Sequence, residues 1–175
     1  MKNIFLTIII SFICAITLSQ SFHDIEIQSI NGDLLSMSEF KGKYVLVVNV
    51  ASRCGYTKQY ADLEKLHQSY DNLVILGVPC NQFANQEPQD EKQILKFCSS
   101  KYNVTFPMTS KQKVKGEDKH PLYQWLTEKT YNKQADYKVN WNFNKFMIDP
   151  NGKLLAHFKS GVKPLSQDIT SILSK

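Results

Sequence analysis

The chain has no C-x-x-C pair. Its four cysteines, Cys14, Cys54, Cys80 and Cys98, stand far apart. That argues against a thiol–disulfide oxidoreductase, whose chemistry needs a second thiol beside the first. It also has no long basic run. The formal charge is +5, and the lysines from Lys92 to Lys119 (92, 96, 101, 111, 113, 115, 119) are dispersed. A mild, scattered excess reads mainly as a solvated face and gives no basis for nucleic-acid binding. The other reading of these lysines is attraction of an anionic substrate or an acidic partner protein. No internal repeat and no low-complexity segment interrupts the sequence. No metal-ligand spacing is present either: His23, His67, His120 and His157 are scattered, none paired with a cysteine. No metal or other cofactor is expected.

At 42% hydrophobic and 21% charged, the 175 residues fit one ordinary domain. The first residues read as a targeting segment, residues 1–19. Met1-Lys2-Asn3 is a short basic start, and Ile4 to Leu18 is apolar and uncharged. The apolar stretch is short for a spanning helix, which needs about 20 residues. A cleaved export signal is therefore expected, with an uncleaved membrane anchor as the alternative. Residues 20–175 are then the folded domain. Cys54, Cys80 and Cys98 remain in it. An odd number of thiols cannot all pair within one chain, so at least one is free or reactive in a compartment where disulfides persist.

Periodicity outlines an α/β domain. Ile25–Ser29 and Leu34-Leu35 flank Asn31-Gly32 as a hairpin. Tyr44 to Val50 is a near-continuous β-branched run, suited to a strand buried on both faces. Tyr60, Leu63, Leu66 and Tyr70 recur at helical spacing within Thr57–Tyr70, and Leu73–Val78 is a second apolar strand. Asp90–Tyr102 is helical, with Ile94, Leu95 and Phe97-Cys98 on its apolar side. Pro121–Thr130 is a short helix. Lys145–Ile148 and Leu154–Phe158 flank the turn Asp149-Pro150-Asn151-Gly152, and Gln167–Leu173 closes the chain as a helix. A βαβ unit followed by a hairpin and a helix is the layout of a thioredoxin-like fold, with a central mixed sheet flanked by helices and an N-terminal β-hairpin.

Cys54 falls between the first long strand and the helix predicted from about Thr57. Sites in α/β sheets form beyond the carboxyl ends of strands. A helix N-terminus favours thiolate over thiol, and Arg53 adjoins it, its side chain turned either toward the thiol as a cation or away. A buried structural cysteine is the competing reading.

Three stretches then carry a resemblance. Ala51-Ser52-Arg53-Cys54-Gly55 resembles the nucleophile motif of the glutathione peroxidase family. Val78-Pro79-Cys80-Asn81-Gln82-Phe83-Ala84-Asn85-Gln86-Glu87-Pro88 resembles its second signature, and Val139-Asn140-Trp141-Asn142-Phe143-Asn144-Lys145-Phe146 its third. The resemblance runs from about Asp24 to the end. It implies hydroperoxide reduction with Cys54 as peroxidatic nucleophile and Gln86, Trp141 and Asn142 as its polar partners. Neutral N–H donors suit that task, since they stabilise a thiolate and developing negative charge without ionising. Taken singly, Trp141 would be a core aromatic and Gln86 a loop residue. Ala84 departs from the glycine often found at its position, a restriction if the loop needs a positive φ.

Lys96-Phe97-Cys98-Ser99-Ser100-Lys101-Tyr102 resembles the segment that carries the resolving cysteine in cysteine-type, thioredoxin-dependent members. The resemblance implies a Cys54 sulfenic acid, a Cys54–Cys98 disulfide and reduction by a thioredoxin-like protein. Cys98 lies 44 positions from Cys54, so its helix is expected to unwind partly for the thiols to meet. Cys80 is read as structural. The resemblance also implies a monomer, since the short Pro107–Trp141 span lacks the extended insertion that tetrameric animal members use at their subunit interface. Direct use of glutathione, and a non-enzymatic redox sensor, are the alternatives.

Overall fold

The computed structural model describes residues 21–174. The leader read into residues 1–19 lies outside them. Strands β1 (Glu26–Gln28) and β2 (Leu34–Ser36) pair antiparallel as the expected hairpin, with Ile27 opposite Leu35. Gly32 makes the turn at φ +96°, a conformation glycine reaches without Cβ strain. A 3-10 turn, Met37–Phe40, follows. Ser36 and Glu39 close it as a capping box.

The main sheet has four strands in the order β4-β3-β5-β6. β3 (Tyr44–Val50) runs parallel to β4 (Leu73–Pro79), and helix α1 (Gln59–Ser69) supplies the crossover that a parallel pair requires. After β4 come α2 (Glu91–Tyr102), α3 (Pro121–Thr127) and α4 (Lys129–Asn132). β5 (Lys145–Ile148) then pairs antiparallel with β3, and β6 (Leu154–Phe158) with β5. α5 (Gln167–Leu173) completes the described chain. The single helix expected over Pro121–Thr130 is two. Glu128 is extended (φ −118°, ψ 122°), and Tyr137 N–H donates to the Thr127 carbonyl at 2.9 Å, so the chain bends there to dock the returning segment.

Side-chain alternation along β3 divides the core into two layers. Val45 and Val47 face one layer with Leu76, Val78, Phe146, the N-terminal Ile25 and Ile27, and Leu122 and Trp125 of α3. Leu46, Val48 and Val50 face the other with Ile75 and Met147, Tyr60, Leu63 and Leu66 of α1, Ile94 of α2 and Ile169 of α5. Helices thus cover both faces, as the βαβ-hairpin-α order requires. The two layers also sort the cysteines. Cys80 belongs to the first, whereas Cys98 lies in the second with Cys54 packed at its margin. Leu95 differs from its assignment to the apolar side of α2: it is 37% exposed, because Ile94 and Cys98 alone turn fully inward.

Candidate active site

Antiparallel pairing of β5 with β3 sets Val48 opposite Lys145. The segment just before β5 therefore lies at the same edge of the sheet as the exits of β3 and β4, and three loops meet there.

The first carries Cys54. Beyond β3, Thr57 folds the chain into a tight turn. Its hydroxyl donates to the Ala51 carbonyl at 2.9 Å and accepts the Cys54 N–H at 2.9 Å, while its own N–H donates to the Cys54 carbonyl at 3.1 Å. Helix α1 starts at Gln59, later than the sequence suggested, after a run of i→i+3 turns. The backbone donor aimed at Cys54 Sγ is consequently the turn N–H of Tyr56, at 3.4 Å, rather than the first turn of a helix. The Arg53 side chain is exposed. Its backbone N–H is what reaches the next loop, donating to the Gln86 carbonyl at 3.0 Å.

The second loop follows β4. Ala84 (φ +50°) and Asn85 (φ +52°) are consecutive left-handed residues. Asparagine tolerates this region, but alanine there costs about 1–2 kcal/mol. The restriction foreseen at Ala84 is thus a strain the fold accepts in order to turn Gln86 back toward β3. Glu87 is completely buried, and both its carboxylate oxygens are bonded to Ser52.

The third loop carries Trp141 and Asn142, and Asn49 holds it. Asn49 Nδ2 donates to the Trp141 carbonyl at 3.0 Å and lies 3.5 Å from Asn142 Oδ1, and Asn49 Oδ1 accepts the Asn144 N–H at 3.0 Å. Between them, buried Phe143 sits at φ +66°, an outlier for an aromatic residue, of the kind that surrounding structure must over-determine. Its N–H donates to the Asn49 carbonyl at 2.6 Å, its ring meets Tyr60 edge-on at 5.5 Å, and its carbonyl accepts from Lys145 Nζ at 2.8 Å. Lys145 is fully buried with that one partner, and burial pushes its amine down to about 7. Behind it, Asn144 Nδ2 donates to the Trp141 carbonyl and to Ser160 Oγ, and Asn144 Oδ1 bonds His157 Nε2 at 2.9 Å.

The loops join through side chains. Asn142 Nδ2 donates to Gln86 Oε1 at 3.1 Å, and the Trp141 ring lies 5.9 Å from that of Phe83. Among the described residues, Gln86 Nε2 and Trp141 Nε1 donate to no protein group, so the edge of the sheet that carries the half-buried Cys54 also offers unused N–H donors. Such an arrangement can stabilise an anionic oxygen.

Cys98 lies on the inner side of α2, fully buried. Burial pushes its thiol up to about 11, with the negative charge of Glu87 adding to the effect. Cys80, on the opposite face, is also raised by burial. All three thiols are free. No group of three His, Cys, Asp or Glu suited to a metal ion gathers among the described residues.

Sequence reasoning passed over Asn49, Ser52, Thr57, Glu87 and Lys145. Asn49 and Lys145 carried a signal, as polar residues inside strands that are otherwise apolar. Ser52 and Glu87 lie inside the stretches that carry the resemblance, but their chemistry, like that of Thr57, gave no signal of its own, since polar residues in loops are ordinary.

A thioredoxin-like domain with a half-buried cysteine at the exit of its first long strand, at the sheet edge that also carries Gln86 and Trp141, is the framework of a thiol-dependent redox enzyme. The comparisons narrow that class. Residues 22–127 match the model of the family described as glutathione peroxidase. Glutathione peroxidase-like peroxiredoxin 2 of Saccharomyces cerevisiae is 43% identical over 162 residues, covering 90% of this chain and all of the relative. Glutathione peroxidase homolog BsaA of Bacillus subtilis is 40% identical, covering 89% of this chain and 99% of its own. Among solved structures, apo Trgpx superposes with a TM-score of 0.69 at 35% identity, covering 90% of this chain and 97% of that one. A secreted Mycobacterium tuberculosis disulfide oxidoreductase, at 15% identity and a TM-score of 0.56, shares the fold alone. The chain belongs to the glutathione peroxidase family. It is a thiol peroxidase that reduces hydroperoxides.

Proposed function

We propose that Cys54 is the peroxidatic nucleophile and that the enzyme runs a two-cysteine cycle through Cys98. The Cys54 thiolate attacks one peroxide oxygen and the O–O bond breaks. The second oxygen leaves as alkoxide or hydroxide and takes a proton to become alcohol or water. Cys54 is left as a sulfenic acid. The N–H groups of Gln86 and Trp141 stabilise the leaving charge, and Asn142 orients Gln86 through the 3.1 Å bond to its Oε1. The observation that carries this reading is those unpartnered donors beside the Cys54 turn. In the second step the Cys98 thiol condenses with the sulfenic acid, a disulfide forms and water leaves. A thioredoxin-like dithiol then gives two electrons and two protons to restore both thiols. What supports Cys98 over Cys80 is the sorting of the core, since Cys54 and Cys98 pack in one layer and Cys80 in the other. The substrates are hydrogen peroxide and organic or lipid hydroperoxides, the protein works as a monomer, and the segment Ile4–Leu18 exports it.

Treating the reduced protein with one equivalent of peroxide and mapping its disulfides by mass spectrometry tests the cycle. A Cys54–Cys98 bond is expected. A dominant Cys54–Cys80 bond, or none involving Cys98, would sink it. Peroxide turnover compared with thioredoxin, glutathione or neither tests the reductant, and turnover with thioredoxin is expected. Turnover as fast with glutathione alone would replace the dithiol step. N-terminal sequencing of the secreted protein tests export.

A further inference from the structure

We propose that Glu87 is a positioning residue for peroxide reduction: its buried carboxylate, clamped on the N–H and hydroxyl of Ser52, fixes where Cys54 stands relative to Gln86. The inference rests on the reading of Cys54 as nucleophile and Gln86 as donor. Ser52 N–H donates to one carboxylate oxygen at 2.8 Å and Ser52 Oγ to the other at 2.6 Å. Arg53, one residue after Ser52, donates its N–H to the carbonyl of Gln86, one residue before Glu87, at 3.0 Å. Three hydrogen bonds therefore strap residues 52–53 to residues 86–87, with Cys54 next to one end of the strap and Gln86 within the other. Asn81 Oδ1 accepts the Glu87 N–H at 2.9 Å, and Lys111 Nζ reaches the carbonyls of Glu87 and Gln89 at 3.4 and 2.5 Å, so the loop backbone is itself braced.

A carboxylate suits this place for a chemical reason. Ionised, it only accepts, and it meets two donors with two oxygens. An amide of the same shape could keep its oxygen on the Ser52 N–H only by reversing the bond at Ser52 Oγ, which would then have to accept, and the charge-assisted pair would be lost. Two charged oxygens are costly to bury without such partners. A loop that served packing alone would be filled more cheaply by an apolar residue. The strap matters because reaction depends on the nucleophile and the N–H donors meeting the same peroxide, and a misplacement of about 1 Å can cost on the order of 100-fold.

The charged and titratable surroundings of Glu87 are few. Arg53 on the Cys54 turn and Lys111 on the segment after α2 favour its charge. Cys80 after β4, Tyr60 on α1 and Cys98 on α2 all feel it. Burial pushes the Glu87 carboxyl up from the ordinary carboxylate range, and the bonds from Ser52 pull it back. As pH falls through that raised value the carboxylate takes a proton, one oxygen stops accepting, and the strap loosens.

The test is single-turnover oxidation of Cys54 by hydrogen peroxide in a Cys98→Ser background, with the sulfenic acid trapped by a dione probe. Rates are expressed per thiolate, followed by its ultraviolet absorbance, so that titration of Cys54 itself is removed. Glu87→Gln should lower the rate on the order of tenfold. Ser52→Ala should lower it less, because the backbone bond survives, and the double variant should match Glu87→Gln within about twofold, as members of one linkage do. With Glu87 intact the rate per thiolate should fall toward acid, and in Glu87→Gln it should be flat. Full rate in Glu87→Gln, or losses that multiply in the double variant, would overturn the role. Should Glu87→Gln fail to fold by circular dichroism, Ser52→Ala at full rate together with a flat profile for the intact residue would overturn it equally. A Cys54→Ser chain that still consumes peroxide would instead overturn the assignment of the nucleophile.

Discussion

Helices α1 and α2 pack on the same face of the sheet, one after each parallel strand, yet they are held very differently. Five of the eleven residues of α1 are buried, against two of the twelve of α2. Side-chain bonds also tie α1 to distant segments. Gln59 Nε2 donates to the Ser160 carbonyl at 2.8 Å, and Glu64 accepts from Thr105 N–H and Oγ at 2.8 and 2.6 Å. α2 has one comparable tether, Lys111 N–H to Glu91 Oε1 at 3.2 Å, at its N-terminal end. Among the described residues, the polar tie of its C-terminal half to another element is that of the buried Cys98 thiol to the Tyr60 hydroxyl of α1. Elements with little burial and few ties open at low cost. The helix behind Cys54 is therefore the more firmly held, and the helix carrying Cys98 the less. That division suits a cycle in which the first step needs geometry and the second needs motion.

The sharpest break between the two regions is chemical. Cys54→Ser is expected to lower peroxide consumption by on the order of 1,000-fold or more. Cys98→Ser should leave the first turnover intact and stop thioredoxin-dependent cycling. Stopped-flow oxidation followed by steady-state turnover separates them. Equal loss of the first turnover in both variants would mean that Cys98 also shapes the peroxidatic site.

A matched pair of leucines tests the packing. Leu66 of α1 is fully buried and Leu95 of α2 is 37% exposed. Leu66→Ala should destabilise the fold by about 2–5 kcal/mol in denaturant unfolding, and Leu95→Ala by about 0.5 kcal/mol or less. Similar losses would remove the distinction between the helices.

The difference between them was only partly legible in the sequence. The three- and four-residue spacing of Tyr60, Leu63, Leu66 and Tyr70 reads as a buried face; the first three are fully buried and Tyr70 is half-buried. The same reading put Leu95 inside, because periodicity counts apolar residues and does not see how much sheet is available to cover them. The hairpin turn at Asn31-Gly32 and the β-branched run of β3 were legible because local chemistry fixes them. The start of α1 was not, since the Thr57 side chain, by bonding Ala51 and Cys54, delays it to Gln59. At the site, Gln86, Trp141 and Asn142 were legible by resemblance. What holds them was hidden, because Asn49 acts on a loop about 92 residues away in sequence and Glu87 on one 35 residues away.

The pH dependence of disulfide formation sharpens the comparison further. Burial pushes Cys98 up to about 11 while α2 is closed. Opening the helix returns the thiol to the ordinary range near 8.5. The sign follows directly. The closed helix favours the protonated thiol, so between those two values rising pH weakens the closed state relative to the open one. If α2 already rests open once Cys54 is oxidised, the rate of disulfide formation should climb with pH and level near 8.5–9. If α2 rests closed, the rate should keep climbing toward about 11, because linkage makes the resting state set the midpoint. Quenched-flow alkylation across that range decides between them.

The smallest expected effect concerns the end of α2. Asn103 stops the helix in the left-handed conformation at φ 52°, and its N–H donates to the carbonyls of Cys98 and Ser99. The cap therefore holds the very turn that carries the second thiol. Asn103→Ala keeps the backbone donor but disfavours the left-handed region by about 1 kcal/mol. If opening of this turn precedes disulfide formation, that cost should appear as a rate about fivefold faster, with first-step oxidation of Cys54 unchanged. Asn103→Gly, which accepts a positive φ more readily, should not accelerate the step. A disulfide rate indifferent to both substitutions would place the motion elsewhere, in the Cys54 turn, and would reverse the assignment of which region is fixed and which one moves.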